Sequence, residues 1–196
     1  MPKTPSRFNA ALEPIEDKLP ADIAAAIGRI VARHSYLEWI LGQVLYSLLE
    51  ISIKQGRAVV QRPTPREYIA AVQGLHAFHK LESRFDFDKL AAALEAADAA
   101  RDTLVGSVCM HDVDRKRSPI FLVRGSWARG LDLDTVSRDA WPEAPALDGK
   151  LLGKLRDDVE AAVDRAEKLR ETTDRMLRKL HELRRKDPRL NRRQSR

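Results

Sequence analysis

Residues 20–56 read PADIAAAIGRIVARHSYLEWILGQVLYSLLEISIKQG and carry the longest helical pattern in the chain. Apolar side chains recur there at steps of three and four residues, which is the spacing of one helix face. The positions on this face are Ile23, Ile27, Ile30, His34, Leu37, Leu41, Val44, Leu48 and Ile51. Pro20 suits the first turn of a helix, and Gly56 is a typical stop. The stretch therefore predicts a helix of about 30 residues.

Three further helices follow from the same patterns. Thr64-Pro65-Arg66-Glu67 has the spacing of a capping box with proline at the first helical position, and it predicts a helix that continues to about Glu82. A third helix is expected over 87–110. A last, long helix of about 35 residues is expected to begin near Asp148, because apolar and small residues keep the three-four alternation to Leu183.

Residues 112–146 interrupt the helical pattern. The segments 119–123 and 131–136 are typical of short strands and predict a small β-hairpin. The sequence thus predicts an all-α fold, an up-and-down bundle of about four long helices with a hairpin insert before the last helix. The predicted organisation is an N-terminal arm over 1–19, the bundle domain over 20–183 and a basic C-terminal tail over 184–196.

The composition is that of a single, highly charged globular domain. Of the 196 residues, 43% are apolar and 33% are charged, and one domain is the expectation at this length. The single cysteine, Cys109, fits a reducing compartment. No apolar run approaches the length that crosses a bilayer, and the first residues lack the pattern of a signal peptide. We therefore expect a cytoplasmic protein without membrane contact.

The net charge of +6 resides in the tail. Its basic residues are Arg184, Arg185, Lys186, Arg189, Arg192, Arg193 and Arg196, and Asp187 is the one acidic residue among them. The rest of the chain is neutral overall, with 28 basic and 28 acidic side chains. One interpretation is a disordered arm that contacts RNA, DNA or an acidic partner. The other is a solubilising end without a specific partner.

Arg101 is the most informative single residue, because it lies on an otherwise apolar helix face. The other positions of that face are Phe87, Leu90, Leu94, Ala97, Leu104 and Val108. A guanidinium stays charged at any relevant pH, so its burial requires partners.

Three interpretations of Arg101 remain open. It could belong to a structural cluster with Asp102 and, from the first helix, His34 and Glu38, where bidentate hydrogen bonds would satisfy it. It could instead face a groove for a ligand or partner. The third possibility is catalysis.

The order of the helices over 20–183, with Arg101-Asp102 on a late helix, resembles the HEPN superfamily. The motif of that family is Arg, a polar residue, three further residues and then His. The resemblance implies that Arg and His cleave RNA together without metal, commonly at a dimer interface. In this chain Gly106 holds the position of the histidine. His111 lies ten residues after Arg101, about 15 Å away along a continuous helix and on another face. The resemblance therefore implies a non-catalytic, dimeric relative.

Other candidate sites receive little support from the sequence. His76 and His79 are three residues apart on one predicted helix, as a pair of metal ligands can be, but only Glu82 offers a convenient third ligand. No glycine-rich phosphate loop is present in the sequence. We expect no metal and no cofactor.

Three functions follow from these observations. The first is a non-catalytic HEPN-like interaction module, dimeric, that contacts nucleic acid or an acidic partner through its tail. The second is a HEPN-type metal-independent ribonuclease or toxin. The third is a helical scaffold or assembly protein of mobile-element origin.

Overall fold

The structure is a computed structural model of the 196-residue chain. It describes residues 12–15, 19–59, 63–81, 85–112, 120–124 and 146–186. Over these residues the chain is mostly helical, which confirms the all-α prediction at this level. The helices are α1 (Ala21–Leu48), α2 (Ile53–Val59), α3 (Pro65–Phe78), α4 (Phe87–Val105) and α5 (Gly149–Lys186). The strands are β1 (Leu12–Pro14), β2 (Ser107–Asp112) and β3 (Phe121–Arg124).

Helix α1 begins after Pro20, as predicted, but it ends earlier than Gly56. Glu50 takes a left-handed backbone conformation with φ of 55°. Its amide donates to the carbonyl of Ser47 at 3.2 Å, and the amide of Ile51 donates to the carbonyl of Tyr46 at 3.1 Å. These two bonds form a Schellman cap, which terminates a helix by satisfying its last carbonyls. Gly56 is therefore not the stop; it lies within α2, a helix that the sequence pattern did not predict.

The beginnings of α3 and α5 are set by local side-chain caps. Thr64 and Glu67 form the predicted capping box, in which each side chain bonds to the backbone amide of the other residue. At α5 the Oδ1 atom of Asp148 accepts from the amide of Leu151 at 2.7 Å. Each cap satisfies amides that have no partner inside the helix. The predicted starts of both helices are confirmed.

The helix predicted over 87–110 ends at Val105 instead. After Gly106 the chain enters β2, which pairs antiparallel with β3 so that Val108 lies opposite Val123. The helical spacing of Leu104 and Val108 is therefore coincidental, since Val108 is a strand residue. β-branched and aromatic residues in both segments suit this pairing.

β1 completes a three-stranded sheet in the order β1-β2-β3. It pairs antiparallel with β2, with Glu13 opposite His111. Part of the segment predicted to be an arm is thus a strand. β3 overlaps the predicted strand 119–123 and extends one residue beyond it, to Arg124. The second predicted strand, 131–136, falls outside the described residues.

The chain divides into two units, 1–31 with 98–157, and 32–97 with 158–196. The first unit contains the sheet and buries apolar residues such as Ile30, Leu104, Leu122 and Leu155. The second unit has the larger set of fully buried side chains. They include Leu37, Ile40, Leu48, Tyr68, Val72, Leu90, Val159, Val163, Leu169 and Thr173.

In the second unit, α1 and α3 end side by side. The Nε2 atom of His79, the C-cap residue of α3, lies 2.5 Å from the carbonyl oxygen of Leu48, the last residue of α1. Consecutive helices of a simple up-and-down bundle end at opposite ends. These two helices do not alternate in that manner, because α2 intervenes between them. None of the helices over the described residues is long and apolar enough to cross a membrane.

Candidate functional site

Arg101 lies on the face of α4 that was predicted from the sequence. Leu94, Ala97 and Leu104 on that face are buried, whereas the side chain of Arg101 keeps 28% of its surface exposed. Its Nε and Nη2 atoms both donate to Oδ1 of the adjacent Asp102, at 3.0 and 2.5 Å. The guanidinium is therefore half-buried, and it is paired with Asp102, one of the residues predicted to be its partners.

His34 and Glu38, the other members of the predicted cluster, contact each other on α1. His34 is buried, and its Nδ1 atom lies 3.3 Å from Oε1 of Glu38 one helical turn later. This pair belongs to the second unit, and the Arg101–Asp102 pair belongs to the first. A junction of all four residues stays a prediction.

Gly106, where the HEPN resemblance calls for a histidine, directly follows the end of α4 at Val105. Its amide donates to the carbonyl of Asp102 at 2.9 Å. A β-carbon on residue 106 would lie 2.7 Å from that carbonyl oxygen, which is closer than side chains come to a backbone oxygen. The turn is therefore built for a residue without a side chain, and a histidine does not fit without moving the backbone.

The early end of α4 also changes the position of His111 relative to Arg101. A continuous helix would place the two residues about 15 Å apart, but His111 lies on β2. Helical geometry therefore does not separate the two residues.

The basic C-terminal segment begins inside α5. Arg184, Arg185 and Lys186 form its last turn. The Nη1 atom of Arg184 donates to Oε1 of Glu50 at 2.8 Å, and only 14% of the Arg184 side chain is exposed. Arg185 and Lys186 are exposed. The remaining predicted contacts, Arg189, Arg192, Arg193 and Arg196, lie outside the described residues.

Glu50 is held in its charged form by this arrangement. Hydrogen bonds from His181 and Arg184 lower the pKa of its carboxyl group, although partial burial acts in the opposite direction. The residues are 131 and 134 positions apart in sequence. No local pattern pointed to Glu50.

A second polar cluster, also missed by the sequence reasoning, joins α1 to α5. Arg33 donates from Nε to both carboxylate oxygens of Glu160, at 3.0 and 2.9 Å. The hydroxyl of Tyr36 donates to Glu167 at 2.5 Å, and this bond raises the tyrosine pKa. Trp39 stacks on Tyr36 with ring centroids 5.6 Å apart. Arg33, Tyr36 and Trp39 recur every three residues, which is the signal that could have indicated a polar edge to this face.

His76 and His79 are both buried in the second unit. Nε2 of His76 lies 3.3 Å from Oγ1 of Thr173, and the ring meets Phe87 edge-on. Burial and the neighbouring His79 lower the pKa of His76. Across the described residues no group of three or more His, Cys, Asp or Glu side chains is placed to hold a metal ion. The pair is thus part of the packed interior.

The contacts bring together Arg101 with Asp102, His34 with Glu38, and the base of the basic segment with the end of α1.

No family model matches the sequence, and neither a curated protein nor a solved structure matches the chain.

Proposed function

We propose that this protein is a non-catalytic, HEPN-like interaction module that binds an anionic partner, a nucleic acid or an acidic protein, through its basic C-terminal segment. The observation that carries the proposal is the attachment of that segment. Arg184 is fixed against Glu50, whereas Arg185 and Lys186 point their charge to solvent at the end of a continuous helix. A cationic segment with an anchored base pays less ordering entropy on binding than one whose base is not held.

The absence of catalysis is part of the proposal because of Gly106. The HEPN motif needs a histidine to carry the proton, and the backbone at residue 106 leaves no room for a β-carbon. Dimer formation enters the proposal through the resemblance alone. Light scattering on the full chain tests it, and a monomer at micromolar concentration would remove that part.

The binding proposal is tested by salt titration of a fluorescent single-stranded RNA, a DNA duplex and an acidic peptide against the full chain. Each phosphate contact contributes about 0.7 to the logarithmic salt dependence for a single strand. In a variant with Arg189, Arg192, Arg193 and Arg196 changed to Gln, we expect weaker binding and a slope that falls by about 3 for RNA.

The matched control removes four exposed basic side chains elsewhere, with Gln at Arg29, Lys150, Lys168 and Arg175. It changes the net charge equally, so the general attraction of the chain for anions falls by the same amount. The proposal requires that this control bind more tightly than the tail variant. Equal binding by the two variants, or binding that is independent of salt, would contradict it.

The competing ribonuclease hypothesis makes a different prediction. It requires RNA cleavage in the presence of a metal chelator, and it requires that Arg101→Ala abolish that cleavage. We expect no cleavage by the wild-type chain above the level of an Arg101→Ala preparation purified in parallel.

A further inference from the structure

The C-terminal ends of three helices meet at one end of the second unit. Nε2 of His79 at the end of α3 donates to the carbonyl of Leu48 at the end of α1, at 2.5 Å. Two residues after the end of α1, Glu50 pairs with Arg184 near the end of α5 at 2.8 Å, and His181 lies 3.3 Å from the same carboxylate oxygen. We call the exposed part of these three helix ends, together with α2, the basic end surface.

Large apolar side chains are exposed beside each of these contacts. Leu49 adjoins Leu48 and Glu50, Phe78 precedes His79, and Leu183 precedes Arg184. Phe78 is 61% exposed and Leu183 is 54% exposed; Leu49 and, in α2, Ile53 are exposed as well. Among the described residues, four of the six exposed large apolar side chains thus belong to this surface. Large apolar side chains left exposed near one end of a helical unit are typical of interaction sites.

The same surface carries an excess of positive charge. Its basic residues are Lys54, Arg57, Lys80, Lys179, Arg184, Arg185 and Lys186, and its acidic residues are Glu50 and Glu182. Basic side chains near helix C-termini stabilise the helices, because each C-terminus carries about half an elementary negative charge. The negative ends of three helices offset only about one and a half positive charges, whereas the net charge of the side chains is +5. Most of the charge therefore remains available to a partner.

We infer that the basic end surface binds an acidic amphipathic helix of a partner protein, which places its apolar residues on Leu49, Phe78 and Leu183 and its carboxylates on the surrounding cations. This inference rests on the proposed function and specifies its partner. A second copy of the same surface is disfavoured because it would bring like charges together. A nucleic acid is a poorer match, since base stacking needs aromatic side chains and Phe78 is the single aromatic ring among the four apolar residues.

The probes for the test are three synthetic molecules. The first is a fluorescent peptide of about 16 residues with Leu at helical spacing and Glu on the opposite face. The second has the same composition in scrambled order, and the third is a single-stranded RNA with a similar number of charges. Binding to the full chain is measured by anisotropy at an ionic strength of about 0.15 M, where exposed charges are well screened.

We expect the amphipathic peptide to bind at least about tenfold more tightly than the scrambled peptide and than the RNA. Phe78→Ala and Leu183→Ala are each expected to weaken its binding about fivefold or more, as truncation of an interface anchor does. Val105→Ala is the matched control, because Val105 is 65% exposed but lies in the first unit. It should leave the affinity unchanged. Thermal melts show whether each variant keeps its fold.

A readout without substitutions complements these variants. Hydrogen exchange on the wild-type chain should show protection at 49–53 and 78–81 when the amphipathic peptide is added. Equal affinity for the two peptides, tighter binding of the RNA, or an unchanged affinity in Phe78→Ala and Leu183→Ala would overturn the inference. If those variants are neutral while the tail variant still weakens binding, the proposed function stands without this surface. If no anionic probe binds the wild-type chain, both proposals fall.

Discussion

The backbone of Gly56 in α2 lies directly against the aromatic ring of Tyr46 in α1. A β-carbon on residue 56 would lie within 2.6 Å of three ring atoms of Tyr46, one of which is Cγ, the ring atom attached to the β-carbon of the tyrosine. Close contact without a side chain is therefore what lets α2 pack on the end of α1. Gly56, which was predicted to stop the first helix, is therefore a packing residue.

We expect Gly56→Ala to lower the free energy of unfolding by about 1–3 kcal/mol, which is the usual cost of forcing extra atoms into a packed site. The gain in helix propensity, about 1 kcal/mol, opposes this loss but does not cancel it. Gly74→Ala in α3 is the control, because no atom lies within 4 Å of a β-carbon there. That variant should gain about 0.5–1 kcal/mol. Urea melts compare the two, and a stabilised Gly56→Ala would contradict the packing account.

Gly106→His would place a histidine at the position that the proposed HEPN resemblance requires, but the backbone there does not accommodate a side chain. We expect it to destabilise the chain by about 1–3 kcal/mol, because the new β-carbon meets the carbonyl oxygen of Asp102 at 2.7 Å. RNA cleavage should stay absent. Gly153→Ala, where a β-carbon meets nothing within 4 Å, is the matched glycine substitution and should be neutral or stabilising. Cleavage gained by Gly106→His with an intact fold would contradict the steric argument at residue 106 and support the ribonuclease hypothesis.

Arg101→Met and Asp102→Asn separate the structural interpretation of the arginine from a role in binding. Asp102 keeps 54% of its side-chain surface exposed, so the loss of its charge in Asp102→Asn should cost less than about 1 kcal/mol. If Arg101 belongs to the predicted structural cluster, Arg101→Met should cost more than Asp102→Asn, since it removes all the hydrogen bonds of the guanidinium. Chemical denaturation measures both. A fully stable Arg101→Met variant would rule out the structural cluster and favour a role in binding.

The stability of the chain should fall as the pH falls from about 7.5 to 5.5. His76 is buried, and its pKa is lowered in the folded state, first by burial and then by His79. The unfolded state therefore binds more protons than the folded state once the pH drops below the unfolded pKa of about 6.5. The stabilisation present above that pH is lost as the pH approaches the folded-state value. Urea melts across this range should show a shallower pH dependence for His76→Gln; an unchanged dependence would assign the effect to other groups.

Local sequence signals predicted the starts of α1, α3, α4 and α5 correctly but missed three helix ends. α3 ends at Phe78 and not at about Glu82, because Lys80 is left-handed. The capping box at Thr64 and Glu67 and the cap at Asp148 are contacts over three residues, so the sequence displays them directly. The end of α1 depends on a left-handed Glu50, a residue type that gives no such signal. The end of α4 depends on a strand pairing with Phe121–Arg124, which is distant in sequence.

The candidate site divides in the same way. His34 with Glu38 and Arg101 with Asp102 are one turn or one residue apart, and the spacing was enough to pair them. Glu50 with Arg184 and Arg33 with Glu160 each join residues more than 120 positions apart. Such pairs depend on how helices are placed against each other, which periodicity does not encode. The composition of the sequence was enough to predict the basic tail, but it did not predict the contact of Arg184 with Glu50.

Glu50 and Lys80 both occupy the left-handed region, each with φ of 55°, at the ends of α1 and α3. A residue with a β-carbon loses roughly 1 kcal/mol there relative to a relaxed backbone, and glycine avoids that loss. Glycine at either position would therefore relieve this backbone strain. It would also delete the carboxylate that holds Arg184, or a cation of the basic end surface. If the basic end surface binds a partner as inferred, backbone stability and recognition favour different residues at these two positions.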